Sequence, residues 1–339
     1  MRKILSVITA ISILPLMQFS VIAESETSIT NEVSSSLVTE EISTYNCRTK
    51  DITTKTISFE SQHDNADLSK SGRTQVELYS EPKVANNLEY DISSDLITVS
   101  TYSNALERIN NPHNYGQYRS TVYIDTYVKK DSTVKLSDRG TGFVVGPNTV
   151  VTAGHVINNK NYGKENSNHE NWAYKVVVYP ARSGFTCPYG SASSTELICS
   201  TEWTNNQNAD HDWGIIRLDK NIGDDTGWLG LYYQSSSFHG TTIDYAGYPT
   251  MSLEYRYLYR GYARQTNFDS SGLVYAGDGV TATGGMSGSP AFIYRNQSGY
   301  TAIGIVVHSC EGGFGYVKLS EWLYNELVSY RNKRCATYK

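Results

Sequence analysis

The sequence has no excess of positive charge: 29 Lys and Arg stand against 34 Asp and Glu. That balance excludes a chain that holds nucleic acid by bulk charge. Beyond the first few residues it has no apolar run long enough to cross a membrane. No cysteine and histidine cluster shows zinc-site spacing. Internal repeats and low-complexity tracts are missing too. Cysteine is scarce and odd in number, with five in 339 residues. In an exported protein an odd count means a free thiol or a chain that is later divided. Charged residues reach 19% and hydrophobic ones 39%, which permits a folded core and argues against a wholly disordered chain. The length suits two domains of roughly 150 residues, or one large β domain with an appendage. Tyrosine is plentiful at 27, methionine rare at 4.

The amino end starts Met1-Arg2-Lys3 and runs apolar from Ile4 to Leu16, with Val21 and Ala23 as small residues at an exit. A positive start, a short apolar stretch and a small-x-small exit read as a secretory signal, residues 1–23. The expected protein is therefore secreted, extracellular and free of the membrane once the signal is cut. Residues 24–99 carry 14 Asp and Glu against 6 Lys and Arg and have no Trp. Residues 100–339 carry 20 acidic and 21 basic residues and all five Trp. The acidity is thus concentrated in one segment, which reads as a pro-segment or as a solvated spacer.

The body, 100–339, reads as all-β. Short apolar or alternating runs recur at 121–128, 142–145, 149–151, 175–179, 214–218, 253–259, 273–276, 291–294, 301–307 and 316–319, separated by Gly, Asn, Asp and Ser. Many short strands with turn signals predict a sandwich or a barrel. One helix is expected at the carboxyl end, capped by Ser320, with Leu319, Leu323, Leu327 and Tyr330 on one face.

Three segments carry chemistry. Gly140-Thr141-Gly142-Phe143-Val144-Val145 leads to Thr152-Ala153-Gly154-His155, a histidine delivered directly after a strand. Asp210-His211-Asp212-Trp213-Gly214 opens an apolar strand with a carboxylate. A carboxylate at the mouth of a core strand is costly without a partner, and Asp212, directly before the strand, is favoured over Asp210. Thr283-Gly284-Gly285-Met286-Ser287-Gly288-Ser289-Pro290 sets a serine in a glycine turn with exposed amides. A serine nucleophile needs a base, a group to orient the base, and donors for the oxyanion. His155, Asp212 and the amides of Gly285 and Ser287 can supply them. Ser289 is the rival nucleophile, but its place before Pro290 suits a strand start.

The order His, Asp, Ser along an all-β chain resembles the trypsin and chymotrypsin-like serine peptidases rather than the α/β-hydrolase or subtilisin orders. Within them, Gly-x-Ser-Gly-Ser-Pro, the Thr-Ala-Gly-His segment without a neighbouring cysteine, and Ile303-Gly304-Ile305-Val306-Val307-His308 resemble the bacterial glutamyl endopeptidase, or V8-like, group. The resemblance covers about 115 to 330. It implies two six-stranded antiparallel β-barrels with a C-terminal helix, behind the signal and pro-segment. It also implies a zymogen that becomes a monomeric endopeptidase acting on polypeptides through the triad His155, Asp212 and Ser287, with no cofactor and no metal. Alignment on 118–121 puts the mature start near Ser100, with Glu107 and Arg108 as other processing points.

The trypsin pattern has an Asp six residues before the nucleophile; Thr281 stands there, which disfavours a basic P1 residue. In the glutamyl group a histidine at the His308 position meets the substrate carboxylate. Ala282 departs from that group, where a hydroxyl residue is usual. Thr281 or Thr283 would compensate, while Glu311 would repel an acidic P1 if it pointed inward. Other readings are a same-fold peptidase with broad or hydrophobic P1, one of narrow toxin-like specificity, or a non-catalytic secreted binding module. Four of the cysteines allow three disulfide connectivities, of which Cys187 with Cys199 and Cys310 with Cys335 is the one expected, leaving Cys47 in the acidic segment and an even four in the body.

Overall fold

A computed structural model describes residues 35–62, 74–77, 105–168, 170–250, 256–296 and 298–335. The signal, 1–23, and the expected mature start near Ser100 lie outside these residues. The described chain opens on a hairpin, β1 (Ser35–Asn46) and β2 (Ile52–Gln62), followed by β3 (Thr74–Glu77) and β4 (Glu107–Arg108).

Six strands then build a first barrel: β5 (Thr121–Lys130), β6 (Thr133–Gly146), β7 (Thr149–Thr152), β8 (Lys175–Pro180), β9 (Ala192–Ser200) and β10 (Gly214–Leu218). Their order is β10-β7-β6-β5-β8-β9, and β9 pairs back to β10, which closes the ring. The strands that read as near-continuous apolar runs, such as β7 and β10, are buried along their whole length. A closed barrel with a covered outside hides both faces of a strand and so removes the polar alternation.

The second unit contains β11 (Gly230–Gln234), β12 (Thr242–Gly247), β13 (Tyr259–Arg264), β14 (Leu273–Ala276), β15 (Pro290–Arg295), β16 (Gly299–Cys310) and β17 (Gly313–Lys318). Six of them run β14-β17-β16-β15-β12-β13. A bridge between Arg264 and Gly277, with reciprocal bonds of 2.8 and 3.0 Å, joins the ends into a second ring. The expected architecture of two antiparallel β-barrels holds. The aromatic run before Tyr259 predicts a strand over 253–259; residues 253–255 lie outside the described residues, 256–258 are not strand, and β13 starts at Tyr259, opposite Gly247 and Arg108. Tyr257 lies in the preceding turn, with the Arg108 guanidinium 3.6 Å over its ring.

The carboxyl helix, Glu321–Arg331, is where the sequence places it. Ser320 Oγ accepts from the Leu323 amide at 3.1 Å, the N-cap bond that ends the preceding strand and starts the helix. Leu319, Leu323, Leu327 and Tyr330 are buried against the first barrel.

The interface between barrels is largely aromatic. Tyr123 meets Tyr248 edge-on with centroids 5.4 Å apart, and the Tyr248 hydroxyl donates to the Arg182 carbonyl at 3.2 Å. A buried tyrosine needs such an acceptor, and this packing accounts for part of the tyrosine surplus.

Over 42–46 the acidic segment is not a solvated spacer. β1 pairs with β9 from Ile42 opposite Ser200 to Asn46 opposite Glu196. Ile42 and Tyr45 enter the barrel core, and Tyr45 stacks on Trp172 at 5.8 Å. β3 pairs with β11, so the segment touches both units. Glu107 and Arg108 are paired in β4, and Glu107 receives both Arg260 Nε and Nη2, at 2.8 and 2.6 Å.

The expected disulfides do not form: all five cysteines are free thiols. Cys199 is fully buried in β9 with its thiol toward the Gly154 carbonyl, whereas Cys187 turns its sulfur to the Phe185 carbonyl. Cys310 bonds the Ala276 carbonyl, and the Cys335 amide bonds Asn221. The Cys47 sulfur bonds Ser194 Oγ at 3.1 Å, so four of the five sulfurs have a local partner without a disulfide.

Candidate active site

β7 ends at Thr152, Ala153 is extended, and a single helical turn, Gly154–Ile157, follows. This places His155 just beyond the barrel strand. The Asp212 carboxylate meets it twice: Oδ1 accepts from the His155 amide at 2.8 Å, and Oδ2 lies 2.7 Å from Nδ1. An ionised carboxylate fixes the proton on Nδ1 and leaves Nε2 as the acceptor. Such close approach requires Gly154, because a Cβ there would stand 3.0 Å from Asp212 Oδ1 and 2.9 Å from the Trp203 ring. Burial opposes charging of the imidazole. The charge and hydrogen bond of Asp212, with Asp138 farther off, outweigh it and raise the His155 pKa above 6.5.

The two carboxylates that compete in the sequence have different partners. Asp210, in the 3-10 turn Ala209–His211, accepts from the Leu273 amide at 2.9 Å and so ties this turn to β14. Asp212 closes the turn and is buried. The adjacent Trp213 packs on Trp322 of the terminal helix at 5.4 Å. The helix thus backs the segment that carries Asp212.

The two serines separate as clearly. Ser289 is fully buried and donates Oγ to the Met286 carbonyl at 2.7 Å. Ser287 is half-buried on the loop above it. The loop is tight: the Met286 amide donates to Thr283 O and the Ser289 amide to Met286 O, each at 3.0 Å. Met286 is a fully buried core residue that plugs the loop into the second barrel. Gly285 has φ +91 and Gly288 φ +88, values that suit glycine. The loop rests on the first barrel, where a Cβ on Gly288 would strike Thr141 O at 2.0 Å and approach Ala153 N at 3.0 Å. Ser287 is therefore brought to the strand end that delivers His155. Among the described residues, the Gly285 and Ser287 amides donate to no acceptor.

Beneath Ser287 runs β16. The Gly288 amide donates to Val306 O at 2.7 Å, and after a register shift His308 emerges exposed opposite Gly315. Its ring lies 6.4 Å from that of Tyr275. The segment 279–282 lies beside the β16–β17 turn: Ala282 N donates to Gly313 O at 3.0 Å, and Thr281 Oγ1 accepts from Gly312 N at 3.0 Å. Thr281 is already in use, whereas the Thr283 hydroxyl is buried with no partner among the described residues. Glu311 is exposed at the turn.

Sequence reasoning missed three contributors. Trp203, from the helix Thr201–Asn206, leans on the His155 ring at 6.3 Å. The Thr250 amide holds Gly284 O at 2.8 Å. Thr141 binds the loop from the other barrel. Trp203 and Thr250 sit in unremarkable stretches, and only Thr141 lay inside a segment already singled out. Among the described residues no group of three or more His, Cys, Asp and Glu is placed to hold a metal.

The family model described as Trypsin matches residues 124–322. A glutamyl endopeptidase of Bacillus licheniformis is 31% identical over 202 residues, 57% of this chain and 59% of that protein. An extracellular metalloprotease of Bacillus subtilis is 30% identical over 221 residues, 64% of each. The chain therefore spans less than two thirds of the length of these curated relatives. A solved Glu endopeptidase in complex with MPD superposes with a TM-score of 0.52 at 22% identity, over 67% of this chain and 96% of that one, and shares the fold.

Proposed function

The chain belongs to the trypsin family of serine peptidases, and from that premise we propose that it is a secreted serine endopeptidase made as a zymogen. The observation that carries the reading is the double grip of Asp212 on His155, next to a loop whose Gly285 and Ser287 amides are unclaimed. His155 Nε2 takes the Ser287 proton as Oγ attacks the scissile carbonyl. Asp212 holds the tautomer and stabilises the imidazolium. The two amides receive the oxyanion. His155 then protonates the leaving amine, and water releases the acyl-enzyme with His155 again as base. The chain's own residues supply each step.

Residues 1–23 are the export signal and 24–99 the pro-segment, with the working monomer starting near Ser100. The extracellular relative supports export, and the net −8 of 24–99 ahead of a nearly neutral body supports the division. Wild-type protein is expected to take up a fluorophosphonate at Ser287 and to start near Ser100 on amino-terminal sequencing. Ser287→Ala stays folded, takes up none, and loses roughly a million-fold in peptide hydrolysis. Full cleavage by that variant would end the assignment.

The pocket reading is an acidic P1, preferably Glu. Its supports are the exposed His308, the free Thr283 hydroxyl and the glutamyl endopeptidase relative. A P1-varied peptide panel is expected to show cleavage after Glu and Asp. The buried, apolar Ala282 favours the second reading, a hydrophobic P1. Predominant cleavage after Phe or Leu would establish that one instead.

A further inference from the structure

The carbonyls of four successive peptide units around Ser287 are all engaged. Gly284 O accepts from the Thr250 amide at 2.8 Å, and Gly285 O accepts from Thr141 Oγ1 at 2.9 Å. Met286 O accepts from the Ser289 amide and hydroxyl, and Ser287 O accepts from the Thr141 amide at 2.9 Å. In a trans peptide the N–H points away from its carbonyl. Pinning Gly284 O and Met286 O inward turns the Gly285 and Ser287 amides of the same peptide units toward the open side, and Thr141 fixes the two alternate units, through Gly285 O and Ser287 O. Two of the four anchors come from one residue of the other barrel.

Thr141 is fully buried in β6 and uses all its polar groups. Its hydroxyl donates to Gly285 O and accepts from the Tyr248 amide at 2.9 Å. Its carbonyl accepts from Thr152 Oγ1 at 2.7 Å, on the strand that leads into His155. One side chain thus joins the nucleophile loop, the end of β12 and the histidine strand. None of these bonds involves the amino-terminal segment.

We infer that Thr141 is the positioning residue that holds the nucleophile loop in register with His155, acting through Gly285 and Ser287 without touching substrate. This rests on the peptidase reading above. Because its bonds lie wholly within the body, the loop is assembled before any processing, and the uncut chain reacts with a fluorophosphonate.

The test compares Thr141→Val, which fills the space but leaves Gly285 O and the Tyr248 amide unpaired, with Thr141→Ser, which keeps the hydroxyl. The Val variant is expected to lose about 10-fold to 100-fold in kcat per titrated site. Its KM stays within about twofold, since the pocket is untouched. Its fluorophosphonate labelling slows in parallel, and Ser restores both. A merely structural residue would lower the folded fraction without changing the rate per titrated site. An unchanged kcat in Val, a Ser variant as impaired as Val, or an unreactive full-length species beside a reactive processed one would overturn the inference. Should Val prevent folding, Thr141→Ala carries the same expectation.

Hydrogen exchange at the Tyr248 amide reads the anchor without using activity. It is expected to quicken in Val and stay slow in Ser. A wild type inert to the reagent would defeat the peptidase reading alone, while unchanged exchange in Val would defeat the anchor.

Discussion

Asp212 spends both carboxylate oxygens on one histidine, and this has a measurable sign. The raised His155 pKa means that the imidazole is cationic until the pH exceeds the ordinary histidine value of 6.5. Only the neutral ring can accept the serine proton, so kcat/KM falls as pH drops through that raised pKa. The acid limb of the wild type is expected above pH 6.5. In Asp212→Asn the favourable charge is gone while burial still disfavours the cation, so the limb moves to lower pH. The rate also falls by roughly four orders of magnitude, because the amide no longer fixes the productive tautomer. A pH–rate profile checks both, and a limb that stays put would break the link. At this scale type and context already paired His155 with Asp212, and the structure brings those two together. The choices against Asp210 and Ser289 are now physical: Asp210 caps Leu273 and Ser289 is bonded inside the core. Thr141 could not be ranked, because its importance lies in partners more than a hundred residues away.

Among elements, strands with apolar or alternating runs were readable, and the mixed ones were not. β9 spells Ala-Ser-Ser-Thr-Glu-Leu-Ile-Cys-Ser, whose first half looks like a loop. It is a strand because β8 pairs with its start, β1 with its end, and β10 with its middle. The β1–β2 hairpin was concealed by the same composition, since Ser, Thr and Glu read as solvated chain until a partner edge is supplied. Its docking rests on few side chains, chiefly Ile42 and Tyr45. Thr201 Oγ1 also donates to Glu41 O at 3.1 Å, and the Glu40 carboxylate lies 3.8 Å from His211 Nδ1. Tyr45→Ala removes a ring stacked on Trp172, a loss of about 3 kcal/mol for a buried aromatic. The hairpin is expected to come away before the barrel melts. Hydrogen exchange should then quicken over 196–200 while β5 to β7 remain protected. Uniform loss of protection would show instead that the hairpin is part of the barrel's cooperative unit.

For the whole molecule, fold class was written in the recurrence of short strands, and the two-barrel division followed from the family resemblance. What could not be read was how the acidic segment relates to the body, since composition carries no pairing information. It lies along the sheet as β1 and reaches the second unit as β3. While the chain is continuous, β1 and the β9 edge meet at the high effective concentration of a tether, on the order of millimolar. A cut between β2 and β4 turns that strand into a separate ligand of the barrel. Its occupancy would then follow the concentration of the chain itself, so that dilution would become the force that clears the edge.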